Sequence, residues 1–142
     1  MSRAIQMFEV SLKAAIVHDG RILLLREADT ACWELPGGRI DVGEEFVAQS
    51  AVLAREIAEE LGAGFKVAAG TEVVTWVRQR PTDGVFQFLV VRLCRHIGGD
   101  PVLSDEHDDL RWSTPADWPG LAFPPLSGYP DGLKRVWLLV GC

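Results

Sequence analysis

Three glutamates near the middle of the chain have the spacing that brings side chains together on one face of a helix. Residues 46–61 contain neither Gly nor Pro, are rich in helix formers and are followed by Gly62, so they are predicted to form a helix. Within it, Glu56, Glu59 and Glu60 occupy positions i, i+3 and i+4. The other side of the helix is predicted to pack against the protein through Phe46, Ser50, Leu53, Ala54, Ile57 and Leu61.

This group of carboxylates opposes two local preferences of a helix. Like charges at these spacings destabilise a helix by about 0.2–0.5 kcal/mol per pair, and the helix dipole disfavours anions near the C-terminal end. A divalent cation such as Mg²⁺ or Mn²⁺ would reverse both penalties, because it prefers oxygen ligands. Arg55, four residues before Glu59, is placed to pair with it. The alternative interpretation is an ordinary solvated acidic face.

A glycine-containing loop lies just upstream of this helix. Residues 33–35 form a short extended run that ends at Pro36-Gly37-Gly38, which predicts a tight loop with unusual backbone angles or a close backbone approach. Backbone carbonyls and amides beside a carboxylate cluster can complete a metal site and approach a phosphate closely. The pairing suits hydrolysis of phosphoanhydrides, which carry metal ions and need an activated water.

The acidic residues of the chain are concentrated in two segments. The 142 residues include 20 Asp and Glu against 14 Lys and Arg, which gives a formal net charge of −6. Segments 41–60 and 105–109 together carry −9, so the remaining residues carry +3. A divalent metal site is one reason to hold carboxylates together, and bound cations would leave a near-neutral or basic site for an anionic substrate.

Length and composition narrow the class of protein. They predict one soluble domain over residues 1–142. No apolar run approaches the ~20 residues of a membrane span, and the first residues lack a signal core, so we expect a cytoplasmic protein. Cys32, Cys94 and Cys142 have unrelated spacings and are expected to be reduced thiols. No long basic stripe is present, so no stable nucleic-acid partner is expected.

Strands and helices are predicted to alternate along the chain. Asp19-Gly20 between apolar runs is a strong hairpin signal, and a second hairpin is predicted across residues 81–84. The predicted strands cover 9–18, 22–26, 71–79, 85–93 and 110–112, with a loop over 119–130 and a helix over 131–140. This order indicates a mixed sheet covered by helices.

The segment from Gly38 to Ala63 resembles the signature of the Nudix (MutT-like) hydrolases, GX5EX7REUXEEXGU, in which U is apolar. The resemblance implies an α/β (α+β) fold, a Nudix-like α/β/α sandwich with a mixed β-sheet flanked by helices. One departure stands out: ten residues separate Glu44 from Arg55, where the pattern has seven. Either the helix begins a turn earlier or the preceding loop is longer, and Glu45 is an alternative to Glu44 in the catalytic set.

The resemblance also implies roles for individual residues. Glu56, Glu59 and Glu60 would bind Mg²⁺ or Mn²⁺, with Glu56 also a candidate base. The carbonyl of Gly37 would add a backbone ligand, and Arg55 would orient the carboxylates.

A second acidic segment resembles the EH…RW motif of several Nudix subfamilies. It runs from Ser104 to Trp112. By resemblance, Glu106 is the first candidate and His107 the second for a base that deprotonates water, and Glu106 is also a candidate metal ligand. The alternative for residues 104–109 is a charged surface turn. In both interpretations Asp105, Asp108 and Asp109 are expected to face solvent.

Candidate substrate contacts are less distinctive. Arg78 and Arg80 alternate along a predicted strand and would form a small basic patch, which Arg39 and Arg26 could extend toward phosphates. Trp76 could stack on a base, although aromatic residues in strands more often belong to the core. Further stacking candidates are Trp33, Phe86 and Phe88.

The expected function is metal-dependent hydrolysis of a nucleoside diphosphate linked to another moiety X, with nucleoside triphosphates or dinucleoside polyphosphates favoured. The alternative is a catalytically weak or inactive nucleotide-binding module, because the longer segment before Arg55 could displace Glu44. A homodimer is an additional expectation from the resemblance.

Overall fold

The computed structural model describes residues 2–140 as one mixed sheet with a helix on each face. Cys142, one of the three predicted thiols, lies outside these residues. The strands are β1 (Glu9–His18), β2 (Arg21–Glu27), β3 (Trp33–Glu34), β4 (Gly37–Arg39), β5 (Lys66–Gln79), β6 (Phe86–Gly98) and β7 (His107–Ser113). The helices are α1 (Gln49–Leu61) and α2 (Tyr129–Val140), and a single 3-10 turn covers Trp118–Gly120.

The sheet has the order β3-β2-β1-β6-β5, with β4 added to β1 and β7 added to β2. β1 and β6 are parallel, and the other pairings among the described strands are antiparallel. Both predicted hairpins are present. The first turns at Asp19 and Gly20, whose φ angles of 49° and 70° are those of a type I′ turn.

Alternating residues of β1 and β2 fill two separate cores, one on each face of the sheet. Leu12 and Leu23 face α1, whereas Ala15 and Leu24 face α2. Helix α1 contributes Val52, Leu53, Ile57 and Leu61 to the core on its side. Helix α2 contributes Tyr129, Leu133 and Val136 to the other core. The prediction of a sandwich with helices flanking a mixed sheet is therefore confirmed.

The prediction that α1 starts at residue 46 is wrong. The helix begins at Gln49, and Phe46 is fully exposed in the preceding loop instead of packing against the core. Ser50 and Ala54 are exposed as well, whereas Val52 is buried. Residues 41–47 form turns of their own, and side-chain bonds from Glu44 and Glu45 hold this segment outside the helix.

Three strands are longer than predicted, because strand pairing extends beyond the β-branched and aromatic residues on which the prediction was based. β5 begins at Lys66, β6 continues to Gly98, and β7 begins at His107. The predicted loop at Gly37 is a short strand that pairs with β1. A side chain at Gly37 would collide with the backbone at Leu12, so the expectation of a close backbone approach is met by this pairing.

Within the described residues no helix is long and apolar enough to cross a bilayer. Cys32 is half-buried and Cys94 is buried, and neither forms a disulfide. Burial raises the pKa of Cys94 to about 11, which keeps it a thiol at neutral pH.

Candidate active site

The innermost carboxylate of α1 belongs to Glu60. Its residue is 2% exposed, and the backbone N–H of Gly37 donates to both of its oxygens at 3.2 Å. Burial raises the pKa of Glu60 to about 7, even though Lys13 and His107 favour its charged form. The close pairing of β4 with β1 places this N–H at the helix, so the glycine loop and the helix form one site.

The other two glutamates of the helix have different surroundings. The Glu56 carboxyl lies where a side chain at position 38 would lie, so only Gly38 leaves room for it. Glu56 is half-buried, and burial raises its pKa. The side chain of Glu59 is 58% exposed, and Arg55 bonds it at 3.1 Å. Arg55 also contacts Glu56 at 3.1 Å and thus joins the two carboxylates.

The longer segment before Arg55 is accommodated in the loop. Arg55 donates from Nη2 to both carboxylate oxygens of Glu44 at 2.9 Å and from Nε to one of them at 3.2 Å. The Asp41 N–H and Arg55 lower the pKa of Glu44. Glu45 instead accepts a bond from the N–H of Gly43. Glu44, not Glu45, therefore contacts the helix.

A buried ionic chain lies beneath these carboxylates, and the sequence interpretation did not include its first two members. Lys13 donates to Oε1 of Glu34 at 3.0 Å and to the carbonyl of Gly37 at 3.4 Å. His107 Nε2 lies 3.3 Å from the second Glu34 oxygen. Burial alone would raise the pKa of Glu34, but Lys13 and His107 outweigh it and lower this pKa to about 2. Burial would lower the pKa of His107, and its bond to Glu34 raises it instead.

The sequence contained one indication of the buried ionic chain. Lys13 lies between Leu12 and Ala14 in the mostly apolar part of its strand. A lysine in a strand that is buried on both faces needs a charged partner. No local pattern identifies that partner as Glu34, because the two residues meet only through the sheet.

Two cavities open on either side of the buried ionic chain, and both are lined by Glu34, Gly37 and Glu106. The first, here called the mixed-charge cavity, has a volume of about 430 Å³ and includes Glu56. Its charged lining comprises Lys13, Arg39, Arg55, Arg78, Glu34, Asp41, Glu56, Glu59 and Glu106. The second, here called the acidic cavity, has a volume of about 450 Å³. Its charged and titratable lining comprises Glu27, Asp29, Glu34, Glu60, Asp105, Glu106 and His107.

The residues of the EH segment meet the helix at the acidic cavity. Glu60, Glu106 and His107 each offer a ligand atom, and these atoms lie within 4.8 Å of one another. Carboxylate oxygens with a backbone carbonyl nearby are a donor set that suits a hard divalent cation. Asp105 lines the same cavity, whereas Asp108 pairs with Arg26 at 2.7 Å outside it.

The predicted substrate contacts separate into two groups. Arg39 and Arg78 line the mixed-charge cavity. Arg80 lies just beyond β5 and does not line that cavity, because it is bound to Glu9 and Asp83. Arg78 and Arg80, predicted to form one patch, therefore do not line this cavity together.

Trp76 requires a correction. It is 5% exposed and packs edge-to-face on Tyr129 in the α2 core, so it has no free face for a base. Trp33 is buried in the same core, and Phe86 and Phe88 pack on Phe8. Trp76 and Trp33 are therefore core residues, whereas Phe86 and Phe88 are half-buried.

Comparison with known proteins agrees with this architecture. Residues 10–130 match the NUDIX domain. The "MutT-like protein" of Streptomyces ambofaciens is 36% identical over 77% of this chain, and the match spans 66% of that protein. A Bacillus subtilis protein named "Putative 8-oxo-dGTP diphosphatase" is 32% identical over 82% of this chain and 75% of that protein.

Solved structures give the same result. The solution structure of the E. coli ORF135 protein superposes with a TM-score of 0.72 and 28% identity, covering 94% of this chain and 91% of that chain. The domain match includes β1, the glycine loop, α1 and the EH segment. The chain therefore belongs to the Nudix (MutT-like) family, whose members hydrolyse phosphoric anhydrides.

Proposed function

We propose that the protein is a metal-dependent pyrophosphohydrolase that cleaves a nucleoside diphosphate linked to X, with nucleoside triphosphates as the favoured substrates. The observation that carries the proposal is the mixed-charge cavity. There the half-buried carboxylate Glu56 lies in one cavity with four cationic side chains. Carboxylates alone would repel a polyphosphate, whereas this combination accepts both its charge and its metal ions.

Five groups would hold Mg²⁺ or Mn²⁺: the carboxylates of Glu56, Glu59, Glu60 and Glu106 and the carbonyl of Gly37. The Gly37 carbonyl accepts a long bond from Lys13, which leaves its second lone pair available. The exposed side chain of Glu59 is free to turn toward a bound metal ion, because Arg55 is its one ion-pair partner among the described residues. A bound divalent cation makes water nucleophilic at neutral pH and offsets phosphate charge.

In this mechanism Glu56 accepts the proton from the attacking water. Its raised pKa is better matched to proton transfer near neutral pH than an ordinary carboxylate would be. Arg55 holds Glu56 through its 3.1 Å contact, and Glu44 in turn fixes the guanidinium. Glu106, which lines both cavities, is the second candidate for this role.

Arg39 and Arg78 are the proposed phosphate contacts. Both line the cavity next to Glu56, and guanidinium groups bind phosphate oxygens in pairs. The Nε of Arg78 is buried and has no hydrogen-bond partner within residues 2–140, so a ligand oxygen would satisfy it. The name of the Bacillus subtilis relative supports a nucleoside triphosphate rather than a nucleotide sugar.

The alternative of an inactive binding module rested on a displaced Glu44. The bonds between Glu44 and Arg55 argue against that alternative, because they connect Glu44 to α1 despite the longer loop. We therefore propose an active enzyme.

Hydrolysis of a panel of nucleotides with Mg²⁺, with identification of products, tests the proposal. We expect a nucleoside triphosphate to yield the monophosphate and pyrophosphate. Glu56→Gln should lower kcat by about 10²–10⁴-fold, since general base catalysis contributes that much. Glu72→Gln, an exposed carboxylate of β5, is the matched control and should keep full activity. Full activity of Glu56→Gln would contradict the assigned base, and failure to hydrolyse any nucleotide would contradict the function.

Two further expectations stay predictions. A homodimer would appear as a doubled mass in light scattering of the purified protein. A cytoplasmic location agrees with the two free thiols of Cys32 and Cys94, and fractionation of cells would test it.

A further inference from the structure

The four cationic side chains of the mixed-charge cavity differ in burial. Lys13 is buried and its side chain is 10% exposed, whereas Arg55 and Arg78 are half-buried and Arg39 is exposed. A charge that is shielded from solvent acts more strongly on its neighbours, because the effective dielectric constant around it is lower. Lys13 is therefore the cation of this cavity that should act most strongly on a bound phosphate.

One N–H group of the Lys13 ammonium is available to a ligand. The ammonium has three donors, of which one binds Oε1 of Glu34 at 3.0 Å and a second binds the carbonyl of Gly37 at 3.4 Å. Within residues 2–140 these two are the acceptors that its hydrogen bonds reach. Glu34 and Gly37 both line the mixed-charge cavity, so the nitrogen that binds them lies at the cavity wall. The third N–H is therefore in place for an anion inside this cavity.

The surroundings of Lys13 hold its ammonium in position. Lys13 lies on β1 between two neighbouring strands, with Gly37 of β4 and Val91 of β6 as its partners in register. Its carboxylate partner Glu34 is fixed in turn by His107, whose Nε2 lies 3.3 Å from the second oxygen. A donor held in this way needs no reorganisation when charge develops on a substrate.

The ammonium also lies close to the proposed base. Lys13 binds the carbonyl of Gly37, and the carboxyl of Glu56 occupies the space beside the next residue of β4, Gly38. Lys13 and Glu56 both line the mixed-charge cavity. A phosphoryl group that reacts beside Glu56 therefore lies next to the ammonium.

We propose that Lys13 is a catalytic residue that donates its third N–H to an oxygen of the phosphoryl group under attack. The inference rests on the proposed function for the reaction itself. The water oxygen forms a bond to phosphorus, the water proton passes to Glu56, and the bridging P–O bond breaks with its electron pair on the departing phosphate. Lys13 keeps its proton throughout and stabilises the negative charge on the phosphoryl oxygens.

A charge-balanced pair of variants separates this role from the structural pairing with Glu34. Lys13→Met/Glu34→Gln removes both charges, whereas Glu34→Gln keeps the ammonium in the same neutral background. The kcat of the double variant for a nucleoside triphosphate should be about 10²–10³-fold below that of Glu34→Gln, because loss of one preorganised donor to a reacting oxyanion has this effect. Lys66→Met, an exposed lysine of β5, is the matched control and should keep the kcat of the unmodified chain.

Chemical rescue gives a second measurement that a structural role would not change. In Lys13→Ala/Glu34→Gln, propylammonium should raise kcat at least about tenfold, whereas tetramethylammonium, which has no N–H group, should not. Equal kcat values for Glu34→Gln and Lys13→Met/Glu34→Gln would overturn the inference, as would equal effects of the two added ions. If the unmodified chain hydrolyses no nucleotide with Mg²⁺, the proposed function itself is overturned, so the two failures are distinguishable.

Discussion

The two cavities that meet at Gly37 differ in their charge balance. The mixed-charge cavity sets four cationic side chains against five carboxylates, whereas the acidic cavity combines six carboxylates with His107. Their volumes are nearly equal, about 430 and 450 Å³, so size does not distinguish them. Charge does: the first cavity suits an anion that arrives with metal, and the second suits a cation alone.

Helix α1 contributes different carboxylates to the two cavities. Glu59 and Glu60 are neighbours in sequence, yet the side chain of Glu59 is 58% exposed and Glu60 is buried against Gly37. A helix turns by ~100° per residue, which is enough to point two adjacent carboxylates into different surroundings. Their chemistry is therefore set by what each one faces.

Glu60→Gln should have the largest effect, because it neutralises the innermost carboxylate of the acidic cavity. We expect kcat for nucleotide hydrolysis to fall by about 10³-fold and Mn²⁺ affinity to fall with it, since a ligand is lost. Calorimetric titration with Mn²⁺ and a hydrolysis assay measure the two effects. A variant with intact affinity would show that the two cavities do not differ in metal binding as proposed.

Lys13→Met should destabilise the protein, because Lys13 belongs to the buried ion pair that separates the two cavities. Removing Lys13 from the buried ion pair leaves His107 as the remaining described partner of Glu34, so the free energy of unfolding should fall by about 3–5 kcal/mol. Lys66→Met, an exposed lysine on β5, is the control and should change it by less than about 0.5 kcal/mol. The double variant Lys13→Met/Glu34→Gln should lose less than the two single variants combined. Additive losses in urea denaturation would contradict the pairing.

The metal-free protein should become less stable as pH rises from 5 to 8, because Glu60 and His107 of the acidic cavity lose protons in this range. The folded pKa of Glu60 is about 7 because of burial, against an ordinary 4.5, so its contribution is present below pH 4.5 and lost as pH rises through 7. This shift corresponds to about 3 kcal/mol. The pKa of His107 is also raised, which acts in the same direction above pH 6.5.

Thermal unfolding across this pH range, with chelator present, measures the effect. Glu60→Gln should flatten the dependence, and added Mn²⁺ should restore stability at pH 8 by binding the folded state. A melting temperature that rises with pH in the chelated protein would show that Glu60 is not desolvated.

The smallest expected effect is a difference in KM between variants of Arg78 and Arg80, the two arginines predicted to form one patch. Arg78→Gln should raise the KM for a nucleoside triphosphate by about tenfold, because a charged hydrogen bond to phosphate is worth about 1.5–3 kcal/mol. Arg80→Gln should change KM less than about twofold, because Arg80 is bound to Glu9 and Asp83. Equal effects of the two variants on steady-state kinetics would mean that the mixed-charge cavity does not bind the phosphates.

Local patterns were sufficient for features whose causes are local. The Asp19-Gly20 turn, the end of α1 just before Gly62 and the close approach at Gly37 follow from backbone preferences of the residues involved. The start of α1 did not follow from local patterns. The bond between Arg55 and Glu44 keeps the segment before Gln49 in a loop, although its helix propensity is high. Likewise, no local pattern showed that Arg80 is bound by Glu9, which lies 71 residues away.

The sequence by itself determined the family, the carboxylates that could bind metal and the alternation of strands and helices. These depend on residue type and on spacings of a few residues, which a helix or strand converts directly into position. Only the tertiary structure decided that Glu60 is buried while Glu59 is not, that Lys13 and Glu34 join His107, and that two cavities share one wall. Those features depend on contacts between β1, β3, β4, α1 and β7, and the physical reason is that burial and charge pairing are properties of packed surfaces, which no single segment carries.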